Sequence, residues 1–455
     1  MKRLYIVTAA SAALLIACNP TKAQTVSGPG EDLMQLYQTL HTNPELSFEE
    51  VNTSARMASE LEALGFQVTT GMGNDWVEAK ALRDQGEVRD TVGGYGIVGV
   101  LKNGNGPTIL LRTDMDALPV PEQTGLPYAS EVTAVSWTGV DAPVMHACGH
   151  DVHMTTWVGT ARSLVARKDE WSGTLIMIAQ PAEELGLGAR AMLEGGLYRN
   201  FDVPDANLAL HVSASLPAGQ IGYSKGYALA NVDSVDIIVR GTGGHGAYPH
   251  TTRDPIIVGA HIVTALQTLV SRNIDPQKPA VVTVGAFNAG AKHNIISDQA
   301  HLKITVRSYD DATRQLLLDG IERIARAQAE AFGAPEPEIT RETDYTPANY
   351  NDPELTERAM TAIGTVIGAD NVIELTPVMG GEDFSEYGRT DENVPGVIYW
   401  LGAVDPTVWS EAQESGTTLP SLHSPFFKPD AARTIETGIA AMTAATLAEF
   451  NAQSE

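Results

Sequence analysis

The chain has 455 residues, 43% of them hydrophobic and few of them aromatic, with 56 acidic against 30 basic side chains and a formal net charge of −26. That length is too great for one simple core and points to two domains. The acidic surface repels phosphate backbones and anionic head groups, which disfavours nucleic-acid partners, and the chain shows no repeat or low-complexity segment.

The N-terminus reads as an export signal. Lys2 and Arg3 precede an apolar stretch from Leu4 to Ala17, too short with these flanks for a membrane span. It ends Leu15-Ile16-Ala17-Cys18, which resembles a bacterial lipobox with Cys18 as the lipidated residue; the alternative is ordinary secretory cleavage after Ala23. Asn19 resembles the pattern for outer-membrane sorting in Gram-negative cells. The expectation is an exported periplasmic or cell-envelope lipoprotein, held to the membrane by its lipid alone. The other cysteine, Cys148, then has no disulfide partner within the chain. A lone thiol in an oxidising compartment needs protection, and binding a metal as thiolate supplies it.

Leu33, Leu36, Tyr37 and Leu40 share one face of a first helix, which breaks at His41-Thr-Asn-Pro44. A second helix is expected from Phe48 to Leu64, stopped by Gly65. The polar, Gly-rich stretch Gly71 to Gly96 reads as loop, with room for a short strand. Strands follow at Ile97–Leu101 and Thr108–Arg112, then a helix from Val152 to Arg167 and buried strands at Gly173–Gln180 and Ala206–Val212. Alternating strands and helices imply an α/β fold with helices on both faces of the sheet and catalytic groups near the strand carboxyl ends. From about Asn231 the texture changes. Val235, Ile237 and Val239 alternate with polar neighbours, and a strand-helix-strand-strand-helix run reads as an α+β module with one open sheet face. A strand at Gly396–Leu401 and a helix at Asp430–Phe450 complete the first domain. The expected division is a signal and tether (1–23), a mixed-sheet catalytic domain in two parts (30–227 and 343–455) and an inserted lid or dimerisation domain (228–342).

Met145-His146-Ala147-Cys148-Gly149-His150-Asp151-Val152-His153 gathers three His, one Cys and one Asp in nine residues. Thiolate and imidazole are transition-metal ligands, and Gly149 permits a turn that aims Cys148 and His150 at one centre. Gln180-Pro-Ala-Glu183-Glu184 places two carboxylates after a buried strand, where they are costly unless paired with cations. Because neighbouring residues of an extended chain face opposite ways, one can bind metal while the other faces substrate. In isolation His211, inside an apolar strand, reads as a core residue. His423 in Leu-His-Ser-Pro and the glycine-flanked His245 carry no decisive signal alone. Asp114 and Asp116 sit at a strand end, where one carboxylate could orient a metal-bound histidine.

In order and spacing these segments resemble the metal-dependent amidohydrolase and exopeptidase family of aminoacylases, most nearly its subgroup of hippurate hydrolases and indole-acetyl-amino-acid hydrolases. The resemblance runs from about His41 to Phe450 and includes Leu40-His-Thr-Asn-Pro-Glu-Leu46, Arg112-Thr-Asp-Met-Asp-Ala-Leu-Pro119 and Met379-Gly-Gly-Glu-Asp-Phe384. It implies two divalent ions, zinc or manganese ahead of cobalt or nickel. Cys148 would bridge them, and His150, Glu184, His211 and His423 would complete the ligand set. It also implies Glu183 as general base, His245 polarising the scissile carbonyl from a partner subunit's lid, and Asn294 and Arg307 binding the substrate carboxylate. The implied activity is hydrolysis of N-acyl amino acids or small peptide-like amides by a homodimer joined through the inserted domain. The alternatives are a metallo-carboxypeptidase or dipeptidase and a non-catalytic metal- or ligand-binding lipoprotein. Three positions depart from the family pattern, Gly246, Ser297 and Gly381, and they bear on the substrate end of the pocket.

Overall fold

The computed structural model describes residues 30–452. The signal segment 1–23 with Cys18 lies outside the described residues.

Before the insertion the larger unit contains the helices α1 (Glu31–Thr42), α2 (Val51–Ala63), α3 (Asn74–Gln85) and α4 (His150–Ala166). Its strands there are β1 (Gln67–Met72), β2 (Gly96–Asn103), β3 (Thr108–Asp114), β4 (Gly173–Gln180), β5 (Ala206–Pro217) and β6 (Ile221–Tyr223). The insertion follows with β7 (Asn231–Arg240), α5 (Pro255–Thr268), β8 (Ala280–Ala289), β9 (Gln299–Ser308), α6 (Asp311–Ala331) and β10 (Glu338–Arg341). The chain then returns through α7 (Pro353–Ile367), β11 (Val372–Glu374), β12 (Gly396–Val404), α8 (Pro406–Ser415) and α9 (Ala431–Ala452).

The larger unit is built on an eight-stranded mixed sheet in the order β1-β2-β4-β3-β5-β12-β6-β11. Its centre is parallel: β3 pairs in parallel with β4 and β5, and β12 with β5. Side chains of a strand alternate between faces, and β3 shows the consequence. Ile109 and Leu111 join Leu36, Met57 and Trp157 in one core, while Leu110 joins Ile176, Met192 and Phe384 in another. Both faces are therefore covered, as an apolar parallel centre requires. β3 and β4 end at Asp114 and Gln180, level with His211 of the longer β5, which puts these polar residues on one rim.

The segment read as loop between Gly71 and Gly96 instead contains α3. Gly73 and Gly86 bracket it at φ +91° and +78°, left-handed values that suit glycine at helix ends. Among its apolar residues Val77 and Ala81 are buried, one turn apart, and Lys80 pairs with Asp84 and Asp344. So narrow an apolar stripe leaves no periodic signal.

The insertion forms a four-stranded antiparallel sheet, β8-β9-β7-β10. Strands β7 and β9 pair over their full length, from Asn231 opposite Ser308 to Arg240 opposite Gln299. Val258, Ile262 and Leu266 of α5 and Leu317 and Ile321 of α6 pack on Ile237, Leu302 and Ile304. The two crossings between units run side by side, Gly226–Leu229 pairing antiparallel with Asn349–Asn351.

Candidate metal centre and active site

Gly149 determines the geometry of the Cys148 loop. It caps α4 at φ +79°, and a Cβ there would sit 2.6 Å from Val212 Cγ2. Backbone and space both bar a side chain. The turn brings Cys148, His150 (the first residue of α4) and His211 together, with one ligand atom from each within 4.8 Å of the others. His211 Nε2 is 3.5 Å from Cys148 Sγ, while its Nδ1 is 2.8 Å from the Val212 carbonyl oxygen. A carbonyl only accepts, so Nδ1 carries the proton and Nε2 presents a lone pair to the centre.

His423 arrives from 275 residues away. Its backbone N–H donates to the Ala147 carbonyl at 2.9 Å, tying its loop to the Cys148 loop. The residue is held at a left-handed φ of +65°. Its Nε2 then lies 3.3 Å from Cys148 Sγ and 3.4 Å from Glu184 Oε1.

The Glu183-Glu184 turn is fixed by buried carboxylates. Ala182, at φ +51°, donates its N–H to Glu50 Oε1 at 2.8 Å. The N–H groups of Glu183 and Glu184 donate to Asp116 Oδ1 and Oδ2 at 3.1 and 3.0 Å, and the Ser47 hydroxyl donates to Oδ2 at 2.6 Å. Asp116 Oδ1 also faces His150 Nδ1 at 3.4 Å, an ion-pair distance without a hydrogen bond, so this one side chain fixes the carboxylate turn and lies beside the imidazole. Asp114 has a different task. It accepts from His153 Nδ1 at 2.7 Å, and His153 Nε2 accepts the Val212 N–H at 2.8 Å. Both nitrogens of His153 are therefore engaged, and burial pushes its pKa down to about 4 despite Asp114. His153 is a neutral brace between α4 and β5.

Behind Glu183 lies a feature that sequence reasoning left without a role. The Arg112 guanidinium is fully buried. It donates to Asp114 Oδ2 at 2.6 Å, Glu382 Oε1 at 2.9 Å, Asp383 Oδ1 at 3.3 Å and Gln180 Oε1 at 3.0 Å. Asp383 also accepts from Gln180 and from the Ala189 N–H. An arginine inside an apolar strand must find such partners, and the paired Glu382-Asp383 was the sequence signal for them.

The donors fit divalent metal. His150 Nδ1 and Nε2 and Glu184 Oε1 are buried without a hydrogen-bond partner among the described residues. The cluster is also short of positive charge. Burial lowers the His150 pKa, yet Asp114, Asp116 and Glu184 outweigh it and raise the value to about 10. Burial, then Glu382, Glu184 and Asp383, push Glu183 well above the usual carboxylate range, against Arg112. A thiolate, three imidazoles and a carboxylate form a set that suits zinc and its neighbours.

All of these but His150 line a cavity of about 590 Å³ that also includes Glu183 and Arg307. Arg307 makes one hydrogen bond, to the Thr305 hydroxyl at 3.2 Å, and no ion pair among the described residues. A Cβ on Gly381 would lie 2.3 Å from Val232 Cγ2 and 3.5 Å from Arg307 Nη1, so glycine here opens space beside the guanidinium. His245 and Asn294 are not part of this cavity. Both are exposed on the insertion, in the short ribbon where Gly246 N–H donates to the Asn294 carbonyl at 2.9 Å. His245 Nδ1 accepts the Ala247 N–H at 3.0 Å, and its Nε2 makes no hydrogen bond among the described residues.

Residues 110–448 match the model of peptidase family M20/M25/M40. The chain is 36% identical over 373 residues to thermostable carboxypeptidase 1 of Saccharolobus solfataricus, covering 81% of this chain and 85% of that one. It is 38% identical over 350 residues to a hippurate hydrolase of Campylobacter jejuni, covering 76% and 82%. Its fold matches a Bacillus subtilis protein described as a dinuclear metal-binding peptidase, with a TM-score of 0.69, 30% identity and coverage of 92% and 98%. Cysteine, histidine and carboxylate side chains able to hold metal, gathered at one rim, with a family match across that framework, place this chain in peptidase family M20/M25/M40, the metal-dependent hydrolases of amide bonds.

Proposed function

We propose that the protein hydrolyses the amide bond of N-acyl amino acids. The observation that carries this reading is the unpaired Arg307 in the same cavity as Glu183 and the ligand cluster. A guanidinium free of carboxylate partners, in a chain of net charge −26, suits the free carboxylate of a substrate.

Cys148, His150, Glu184, His211 and His423 would hold two divalent ions, zinc or manganese, with Cys148 shared between them. When bound, such ions supply Lewis acidity toward the carbonyl and toward the attacking water. Glu183 then acts as the base. Its carboxylate oxygen is 3.9 Å from His150 Nε2, at the edge of the ligand cluster, and its backbone is fixed by Asp116. It takes the proton of the attacking water and returns one to the leaving amine. Arg112 holds Glu382 and Asp383 beside Glu183, whose burial among these carboxyls keeps it basic. Arg307 orients the amino-acid half of the substrate.

His245 would donate to the developing oxyanion from the insertion of a partner subunit, with Asn294 assisting at the carboxylate. Support for a dimer comes from exposed apolar side chains on the insertion, Tyr248, Ile256, Ile257, Phe287 and Ile295. On this reading residues 228–342 form the lid and dimerisation domain, and lipid on Cys18 holds the protein to the outer membrane. Radiolabelled fatty acid entering the wild-type chain but not Cys18→Ser would test the anchor.

Carboxypeptidase action on peptides is the second reading, favoured by the similarity to a thermostable carboxypeptidase. The deciding experiment measures metal per chain and hydrolysis of N-acyl amino acids and dipeptides, before and after chelation. Two ions per chain and chelator-sensitive release of amino acid from N-acyl substrates is the expected result. Cleavage of dipeptides alone would install the second reading, and a metal-loaded protein inert toward every amide would leave a binding lipoprotein.

A further inference from the structure

Gly381 stands in the wall of the metal cavity where the larger unit meets the insertion. Its φ lies outside the left-handed region, so its backbone would accept any side chain and only space excludes one. A Cβ there would lie 2.3 Å from Val232 Cγ2. Carbon atoms in ordinary contact are about 3.5–4.0 Å apart, so one side would have to retreat by about 1.5 Å. The larger unit is held against that retreat. Gly381 leads directly into Glu382 and Asp383, whose carboxylates accept from the buried Arg112 at 2.9 and 3.3 Å, and Glu382 Oε1 also accepts the Phe384 N–H at 3.0 Å. Val232 is β-branched and stiff at χ1, so its side chain cannot simply bend aside. Its strand can shift, because Val232 is the second residue of β7, just past the crossing at Gly226–Leu229.

Arg307 would travel with Val232. The two residues are opposite each other in the β7–β9 pair, and Arg307 Nη1 lies 3.5 Å from the same Cβ position. Glycine at 381 therefore seats the guanidinium nearer the larger unit than any other residue would, by about the length of one carbon–carbon bond. The shortest reach suits the shortest spacer, and an N-acyl α-amino acid has a single carbon between its amide nitrogen and its carboxylate. We infer that the Gly381–Val232 contact sets the reach of Arg307 and is a determinant of specificity, selecting α-amino acids over their β-homologues. This inference rests on the N-acyl amino acid reading above.

Two substrate pairs test it on the metal-loaded full chain: glycine with β-alanine, and leucine with β-homoleucine, each carrying an acetyl or a benzoyl group. Wild type is expected to favour the α-member of each cleaved pair by at least about tenfold in kcat/KM, the scale of one misplaced methylene. Gly381→Ala is expected to lower that α-to-β ratio at least about tenfold, chiefly by raising KM for the α-member. Val232→Ala alone should keep the α preference. Gly381→Ala/Val232→Ala moves the bulk from one side of the contact to the other and should return the ratio to within about threefold of wild type. Arg307→Lys shortens the cation's reach with Gly381 in place and should move the ratio in the same direction as Gly381→Ala. A ratio is read because a general folding defect would lower both rates together. An unchanged ratio in Gly381→Ala or in Arg307→Lys, a double variant that stays shifted, or a wild type that favours the β-member overturns the spacer assignment. Each of these leaves the parent reading standing, since N-acyl compounds are still cleaved. Hydrolysis of no N-acyl compound by wild type would overturn both.

Discussion

The two units of this chain prepare for chemistry in different ways. In the larger one the reactive groups are already tied down by neighbouring backbone and carboxylates, and all but the exposed His423 and the half-buried Glu184 are buried. Asp116 holds the Glu183-Glu184 turn, Val212 fixes the His211 tautomer, and Ala147 anchors the His423 loop. In the insertion, His245 stands exposed on a two-residue ribbon, with Asn294 exposed just before the partner strand. Preorganised groups can stabilise charge as it develops without rearranging. Exposed ones act only once something is brought to them, either a substrate or a second copy of the chain. Catalytic power should therefore divide between what one subunit holds ready and what assembly adds.

The sharpest way to break that division is Glu183→Gln. It removes the base and leaves the ligand set intact. We expect kcat to fall by about 10²–10⁴-fold with metal content per chain unchanged. Loss of metal in parallel would make Glu183 a ligand and the base assignment wrong.

Next comes the support beneath it. Arg112→Met leaves Asp114, Glu382 and Asp383 buried without their shared cation. Removing one member of a buried ionic network costs about 3–5 kcal/mol, a large part of the stability of an ordinary domain. Denaturant unfolding should show a marked drop in midpoint. A midpoint within error of wild type would mean that the three carboxyls take up protons at little cost and that the arginine is dispensable to the fold.

On the other side of the comparison, His245→Ala should lower kcat by about 10²–10³-fold, the usual cost of a lost oxyanion donor. Its stability should hardly change, since the side chain is exposed. The informative experiment mixes this variant with Glu183→Gln after dissociation and reassociation. If His245 acts across a dimer, some mixed dimers contain one intact site, and activity returns from two inactive preparations. If no activity returns although mixed dimers form, His245 serves its own subunit through a closing motion instead.

How much of this was legible in the sequence follows the same line. Cys148 and His150 stood out as scarce residue types in one local cluster, whereas Glu184, His211 and His423 could be named as ligands only through the family resemblance; the structure brings all five together around Cys148. The exchange from strand-helix alternation to period-two strands likewise marked the insertion. What escaped notice depends on distant packing. Arg112 looked like the first letter of a motif until Glu382, Asp383 and Gln180 were folded around it. Helix α3 was missed because two buried residues cannot draw an amphipathic stripe.

The smallest expected effect concerns how the larger unit holds the start of α4. His41 Nδ1 lies 2.6 Å from Asp151 Oδ2 and Nε2 3.1 Å from Glu122 Oε1, with Tyr37 and Tyr128 packed against the ring. Burial lowers the His41 pKa, but Asp151 and Glu122 outweigh it and lift the value from 6.5 to about 10. A pKa raised on folding stabilises fully below the unfolded value and is lost as pH climbs through the folded one. His41 should thus support the fold at pH 6.5 and progressively less toward pH 10. Hydrogen bonds to charged groups contribute about 1.5–3 kcal/mol, which sets the scale. Melting curves of wild type and His41→Gln should lie apart at neutral pH and converge as pH approaches 10. The insertion supplies no group to this network, so His245→Ala should track wild type across the same range. A constant gap between wild type and His41→Gln would mean that the ring is held by packing against Tyr37 and Tyr128, with its charge irrelevant.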